Sequence, residues 1–381
     1  MTTLKCFLLS SFLLTACTSL ATDEEKDPLS PPEKKQTLTE KFYHPDKRMN
    51  AVVDSIYNLM SLQERAAEMI MTASSTAEKL GYPYPAAKKM LTSNVAANLV
   101  FLKGKSSEFK TQVDELNAFK TSKNKLKPLF ACDCEPSLIP YKWTDVKDIR
   151  PAATQKNIAA VGENTEKINT VMKRVGVQLN FAPVVDIAIN KSVINNRSFG
   201  SDASMIATLS TQFVQTAQDA NIGATLKHFP GHGAVKGDSH KQSVFIDGPL
   251  TELNTFKKII QSDAVPISVM VGHIVVKNNG KYDTDGLPAT LSRTIVTDLL
   301  RKELKYNGII TTDALNMEAA AKIPDADWKA VQAGVDLVLM PKNAALLNKK
   351  ITEALSKNDV LSKQIETSIK RVIRLKVALG L

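Results

Sequence analysis

Short apolar runs recur along the chain between residues 68 and 340, and each has about the length of one buried strand. The eight runs are Glu68–Ala73, Ala97–Leu102, Pro128–Asp133, Gln178–Val185, Gly223–His228, Ile267–His273, Gly308–Asp313 and Val335–Met340. Segments with helical periodicity lie between them, among them Ser106–Lys120, Gln155–Val175, Ser204–Ala220 and Leu291–Leu304. Strands that alternate with helices pair in parallel, so the pattern predicts an α/β fold.

Two α/β architectures fit this alternation, a closed barrel and an open doubly wound sheet. The placement of titratable residues favours the barrel. At or just past the carboxyl ends of separate strands stand Asp133, Asp186, Lys227 with His228, His273 and Asp313. In a (β/α)8 barrel those ends converge on one mouth, where active sites are built. We therefore predict a single TIM-type (β/α)8 catalytic domain.

The first seventeen residues predict export. Lys5 precedes an apolar run, Cys6–Leu14, which is too short to span a bilayer and has the layout of a secretory signal. The run ends in Leu-Thr-Ala-Cys, which resembles the cleavage box of bacterial lipoproteins. This resemblance implies a signal peptide over residues 1–16, lipidation of Cys17 and a mature protein anchored to a membrane in the cell envelope, facing the periplasm or the exterior. An uncleaved apolar N-terminus is the alternative.

Residues 17–45 follow as a predicted tether. The segment is rich in charged residues and proline, a composition that cannot bury a core. We expect it to be an extended linker, and we expect residues 46–381 to form the barrel domain.

Composition limits the partners. The formal net charge is +10 with both signs well mixed, and no dense run of Lys and Arg interleaved with aromatic residues indicates a nucleic-acid partner. The basic surface suits anionic polymers of the cell envelope. Cys132 and Cys134 stand two apart on a predicted strand, a spacing that seldom gives an unstrained disulfide, so we interpret them as packing thiols. We expect a monomer that needs neither a metal nor an organic cofactor.

Three of the five histidines fall within Lys227–His240, which reads KHFPGHGAVKGDSH. A histidine can donate and accept a proton near neutral pH, and Asp238 is placed to orient His240 and to favour its protonated form. The alternative is a solvated loop without chemistry. A second candidate is Asp313, which ends the run GIITTD. It can serve either as the N-cap of the next helix or as a carboxylate nucleophile at the mouth.

These residues resemble glycoside hydrolase family 3, in its β-N-acetylhexosaminidase branch. Lys227–His240 matches the KHFPGHG-x4-DSH signature of that branch. Further stretches agree in the same order along the chain: Asn180–Asp186, Asn196–Asp202, Gly308–Met317 and Ala333–Asp336. The resemblance covers most of residues 52–341, and it implies a single barrel without the additional sandwich domain of many relatives.

The resemblance implies a retaining double displacement on glycans that contain N-acetylglucosamine. Asp313 would be the nucleophile, and His240, polarised by Asp238, would be the acid and base. Most glycosidases use two carboxyl groups for these tasks. Sugar hydroxyls and the acyl group would be held by four further residues: Asp133, Arg197, Lys227 and His228.

The chain departs from the family pattern after Asp133. Where the family has Asp-Gln-Glu-Gly-Gly and a basic residue, this chain reads DCEPSLIPYK, so that Pro136 and Ser137 replace the glycines. Tyr141 stands where an Arg is expected, beside Lys142, which offers a point charge in place of a planar fork. This altered run motivates one alternative, a glycan-binding lipoprotein with weakened catalysis. Two others stay open: a hydrolase of glucosides or other hexosides within the family, and a zinc hydrolase that uses His228, His232, His240 and Asp238.

Overall fold

The computed structural model describes residues 36–123, 125–190, 194–235 and 244–381. Eight parallel strands form one sheet in the order β10-β1-β2-β3-β4-β5-β7-β9. These strands are β1 Ile70–Ser74, β2 Asn98–Phe101, β3 Leu129–Cys132, β4 Leu179–Asn180, β5 Gly223–Phe229, β7 Ser268–Val271, β9 Ile309–Thr312 and β10 Val338–Leu339. A parallel bridge between Thr311 and Leu337 brings the two ends of the sheet together. The predicted (β/α)8 barrel is confirmed, and each predicted run overlaps one of its strands.

Helices cover the outside of this barrel. They are α1 Leu38–Tyr43, α2 Lys47–Leu59, α3 Leu62–Glu68, α4 Tyr84–Thr92, α5 Ser106–Ser122, α6 Ile139–Lys142, α7 Ile158–Val175, α8 Ala203–Asp219, α9 Leu253–Ile260, α10 Glu318–Ala321, α11 Ala326–Ala333, α12 Ala344–Leu355 and α13 Val360–Leu379. Thr294–Glu303 is a π-helix, and single 3-10 turns lie at Glu78–Leu80, Ala152–Thr154 and Ala289–Leu291. Two short parallel strands, β6 Val244–Asp247 and β8 Ile274–Lys277, pair outside the barrel.

Apolar side chains from alternate strand positions fill the barrel interior, which is a packed core. Its floor, at the amino ends of the strands, is covered by two helices. Leu38 and Phe42 of α1 and Val372 and Leu375 of α13 belong to the same buried cluster as the interior residues. The C-terminal helix thus packs against the core with its apolar face.

The position of α1 corrects the predicted tether, which is wrong from residue 36 onward. Thr37 and Glu40 form a capping box that starts the helix, and Phe42 is fully buried. Gln218 donates a hydrogen bond to Thr39, and the Tyr43 hydroxyl donates to the Pro266 carbonyl. This segment has few apolar residues, but Leu38 and Phe42 pack against the floor of the barrel. That surface exists only after the barrel has folded.

The interpretation of Cys132 and Cys134 as packing thiols is also wrong. The two residues are joined by a disulfide, with their Cα atoms 5.3 Å apart, and both are fully buried. Cys134 lies beyond the end of β3, where the backbone leaves the regular strand geometry on which the prediction depended. Among the described residues, no helix is long and apolar enough to cross a membrane.

Candidate active site

The carboxyl ends of the barrel strands surround a cavity of about 450 Å³. The five predicted site residues that lie within the described ranges, Asp133, Arg197, Lys227, His228 and Asp313, all line it. The other lining residues are Val100, Leu102, Leu138, Lys142, Phe181, Asn195, His232, Met270, Ala314, Met317, Leu339 and Met340. The lining therefore combines charged residues with apolar ones.

Lys227 is the central cation among the charged residues that line the cavity. It lies on β5, and its side chain is only 2% exposed. Its Nζ is 2.5 Å from Asp133 Oδ1 and 2.5 Å from Glu135 Oε1. Burial would lower the pKa of this ammonium, but the two carboxylates raise it above its ordinary value, so Lys227 is charged at neutral pH.

Asp133 is held between two ammonium groups. Lys142, at the end of α6, reaches the second carboxylate oxygen of Asp133 at 2.5 Å. Burial alone would raise the pKa of Asp133, yet the charges of Lys142 and Lys227 keep it far below its usual range. Asp133 is thus an ionised hydrogen-bond acceptor at the cavity, and Lys142 supplies the cation that Tyr141, which is 73% exposed, does not bring to the site.

Glu135 is a buried partner that the sequence prediction missed. Arg197 Nε and a terminal guanidinium nitrogen donate to its two oxygens at 2.8 and 2.7 Å. Burial opposes ionisation, but Arg197 and Lys227 lower the pKa of Glu135 to about 2. Burial would lower the pKa of Arg197, but the carboxylates of Glu135 and Asp133 raise it. The two hydrogen bonds to Glu135 fix the guanidinium in one orientation. An acidic residue two positions after Asp133, at the end of a predicted strand, was the signal available in the sequence.

Asp186 organises the two histidines at the root of the glycine-rich loop. Its carboxylate accepts hydrogen bonds from the backbone N–H groups of His228 and His232 and lies 2.7 Å from His228 Nδ1. This contact fixes the His228 ring at the cavity wall. Burial and the charge of His228 lower the pKa of His232 to about 4, so that His232 is neutral at pH 7.

Asp313 follows β9 directly, and its side chain lines the cavity. Its Oδ1 accepts from the Ala314 N–H at 2.8 Å, whereas the next helix begins at Glu318 with Met317 as its N-cap. Burial would raise the pKa of Asp313, but His228, His273 and the Ala314 N–H lower it. Asp313 is therefore an ionised carboxylate at the mouth, and it does not cap a helix.

Glu252, at the start of α9, fastens the root of the same loop. One oxygen accepts from the N–H groups of Gly233 and Ala234 at 2.9 and 3.0 Å, and the other accepts from Ile187 at 2.6 Å. A Cβ atom at Gly233 would lie 1.8 Å from the Ile187 carbonyl oxygen, so only glycine fits there. Burial and the neighbouring Asp186 raise the pKa of Glu252 to about 7.

Three predicted residues, Asp238, His240 and Cys17, lie outside the described residues. Of the residues proposed as zinc ligands, His228 and His232 contact Asp186 as described above. Within the described ranges, no three or more His, Cys, Asp and Glu side chains come together in an arrangement that could hold a metal ion.

Comparison with known proteins gives the class of this barrel. The sequence model of the glycosyl hydrolase family 3 N-terminal domain matches residues 61–375. The chain therefore belongs to glycoside hydrolase family 3.

Two curated relatives and one solved structure illustrate the similarity. A protein named beta-hexosaminidase A from Pseudoalteromonas piscicida is 33% identical over 238 residues, 56% of this chain and 40% of the relative. A beta-N-acetylglucosaminidase/beta-glucosidase from Cellulomonas fimi is 27% identical over 256 residues, 62% of this chain and 45% of the relative. The match thus spans less than half of either relative. A family 3 beta-N-acetylglucosaminidase from Paenibacillus superposes with a TM-score of 0.74 at 25% identity, covering 84% of this chain and 63% of that one.

Proposed function

We propose that this protein is a retaining, exo-acting β-N-acetylhexosaminidase that removes terminal N-acetylglucosamine from glycans of the cell wall or other sources. The observation that carries the proposal is the ionised Asp313 in the same cavity as Asp133, Lys227 and Arg197. A carboxylate that shares a cavity of about 450 Å³ with charged hydrogen-bonding groups matches the needs of one bound sugar residue.

In the first step, an Asp313 oxygen attacks the anomeric carbon while the glycosidic carbon–oxygen bond breaks. His240, oriented by Asp238, gives a proton to the leaving oxygen. In the second step, His240 takes a proton from water, the water oxygen bonds to the anomeric carbon, and the bond to Asp313 breaks. Asp133, Lys227, Arg197 and His228 hold the sugar throughout with charge-assisted hydrogen bonds.

The first test is turnover of a chromogenic aryl N-acetyl-β-glucosaminide by the purified protein, with the configuration of the product followed by NMR. We expect hydrolysis with the β-anomer appearing first. An α-anomer appearing first would overturn the retaining mechanism. An aryl β-glucoside serves as the comparison substrate, because the Cellulomonas relative carries both activities in its name. Faster turnover of the glucoside would move the assignment to a β-glucosidase.

The altered loop after Asp133 supports a second candidate, a glycan-binding protein with weakened catalysis. Binding of N-acetylglucosamine measured by calorimetry, without turnover of either glycoside, would favour it.

His240 has its own test. His240→Ala should slow a substrate with an alkyl leaving group far more than one whose phenolate leaves without a proton. Equal losses for both substrates would contradict its role as the acid.

We further propose that the protein acts as a monomer anchored to a membrane of the cell envelope by a lipid on Cys17. The support is the Leu-Thr-Ala-Cys box at residues 14–17 and the apolar run before it. In cells given a labelled fatty acid, the wild type should carry label and Cys17→Ser should not. Equal labelling of both proteins would refute the anchor.

A further inference from the structure

The disulfide at the end of β3 encloses a residue of the sugar site. Cys132 is the last residue of the strand and Cys134 lies two positions on, so that Asp133 is the single residue between the linked cysteines. Both cysteines are fully buried, whereas the Asp133 side chain is 29% exposed and lines the cavity. Neither cysteine lines the cavity, so the covalent link does not occupy the space that a sugar would fill.

The backbone on both sides of Asp133 is fastened to the neighbouring strand. The Cys132 carbonyl accepts a hydrogen bond from Phe181 N–H at 2.8 Å. The Cys134 N–H donates to Asn180 Oδ1 at 3.1 Å, and the Asn180 amide donates back to the Cys134 carbonyl at 3.3 Å. With the disulfide, these bonds leave the Asp133 backbone few alternative conformations, because a short covalent ring removes most of them.

A small rotation of this backbone would move the Asp133 carboxylate away from its two ammonium partners. The carboxylates of Asp133 and Glu135 both lie 2.5 Å from the same Lys227 ammonium, and Asp133 also holds Lys142. The run that follows carries Pro136 and Ser137 and contains no glycine before residue 142. Preorganised polar groups bind a ligand more tightly, since no free energy is spent in ordering them.

We propose that the Cys132–Cys134 disulfide is a positioning element for glycan binding, which holds the Asp133 carboxylate in its sugar-binding orientation. The inference rests on the proposed function and adds to it. Loss of the link weakens sugar binding through Asp133 and leaves the chemistry at Asp313 nearly unchanged.

The test compares the oxidised wild type with Cys132→Ala/Cys134→Ala and with the single variant Cys134→Ala. We expect KM for the aryl glycoside to rise about tenfold in both variants, with kcat within about threefold, since the charge-assisted contact between Asp133 and the sugar weakens. The single and double variants should agree, because either breaks the link. An unchanged KM in folded variants overturns the inference.

A reduced wild type separates the bond from the packing of its sulfur atoms. A water-soluble phosphine reduces the sulfur–sulfur bond to two thiols. The disulfide oxidises the phosphine to its oxide, and water supplies the oxygen of the oxide and the protons of the thiols. Thiol alkylation and mass measurement confirm the cleavage. The reduced protein should match the alanine variants, and reoxidation should restore KM. If the variants fail to fold, this comparison alone decides, and an unchanged KM after reduction rejects the inference.

A double-mutant cycle distinguishes positioning from general support of the fold. In Asp133→Asn, removal of the disulfide should add little further loss, because the group that it positions is already changed. Additive losses would show that the link acts elsewhere and would overturn the inference. A wild type that neither hydrolyses the glycosides nor binds N-acetylglucosamine would instead reject the proposed function.

Discussion

The mouth and the floor of the barrel both bury charged groups, but the partners of these groups differ. At the floor, the Lys376 ammonium is fully buried, lies 2.6 Å from Glu68 and donates to the Ala97 carbonyl. At the mouth, the buried Lys227 lies between two carboxylates, and one of them, Asp133, also borders the cavity. The floor pair is thus enclosed by protein, whereas one partner of the mouth pair also faces an open cavity.

This contrast assigns different tasks to chemically similar pairs. A buried ion pair is favourable only when its partners are supplied in good geometry, and removal of one partner leaves a costly isolated charge. In (β/α)8 barrels the amino end of the strands serves stability and the carboxyl end serves catalysis. Substitutions at the mouth should therefore change activity most, and substitutions at the floor should change stability most.

The largest expected effect is that of Asp313→Ala at the mouth. The substitution removes the attacking oxygen, so kcat for the aryl glycoside should fall on the order of 10⁴-fold. Because Asp313 borders a cavity and is not part of the apolar core, Tm should stay within a few degrees of the wild type. Steady-state kinetics and thermal unfolding measure the two quantities.

Azide gives the control for this variant, because it can occupy the space left by the carboxylate and attack the same carbon. It should restore turnover of Asp313→Ala and yield a glycosyl azide of α-configuration. Turnover of the variant close to the wild-type rate without azide would contradict the nucleophile assignment.

Lys227→Met should give the next largest loss. It leaves Asp133 and Glu135 without their shared cation, and kcat/KM should fall by about 10²- to 10³-fold, corresponding to about 3–4 kcal/mol. Lys142→Met is the matched control, since Lys142 contacts only Asp133 of this pair and its side chain is 28% exposed. Its loss should be smaller. A larger loss for Lys142→Met would place the central cation on the wrong lysine.

These mouth residues were largely predictable from sequence, and the reason is topological. Asp133 and Asp313 end buried runs and Lys227 lies next to the end of one, and the ends of parallel strands in a barrel must meet. Their convergence needs no knowledge of loop structure. The same reasoning gave all eight strands, because a buried run is recognisable from its own residues.

Features that depend on loop path or on docking could not be predicted. The burial of Glu135 depends on how the chain turns after Asp133, and the disulfide depends on the backbone at Cys134. The α1 helix has only Leu38 and Phe42 to bury, and their burial requires the barrel floor to exist first. Short-range patterns contain no signal for such long-range contacts.

Lys376→Met tests the floor. The substitution leaves Glu68, 3% exposed, as an uncompensated buried charge, so the free energy of unfolding should fall by about 3–5 kcal/mol. KM should not change, because this pair lies at the opposite end of the barrel from the cavity. The double variant Glu68→Gln/Lys376→Met should recover most of the loss. A raised KM in Lys376→Met with unchanged stability would reverse the contrast between floor and mouth.

Glu252 lies at the mouth but serves stability, as the floor charges do. Among the hydrogen-bond partners described for this buried carboxylate, all are backbone N–H groups. Burial and Asp186 raise its pKa from an ordinary value of 4.5 to about 7. Between these pH values the folded protein therefore holds a proton that the unfolded chain has released. The stability from this group is complete below pH 4.5 and is lost as pH rises through 7.

Glu252→Gln removes this titration, while the other titratable groups of this region, Asp186, His228 and His232, are present in both proteins. The difference in unfolding free energy, wild type minus variant, should decrease by up to about 3 kcal/mol as pH rises from 4.5 to 7.5. Urea denaturation of both proteins across this range measures it. Parallel stability curves would show that Glu252 stays ionised when folded, and that the Gly233 and Ala234 N–H groups outweigh its burial. The root of the histidine loop would then be held by charge at every working pH, as the ion pairs of the floor are.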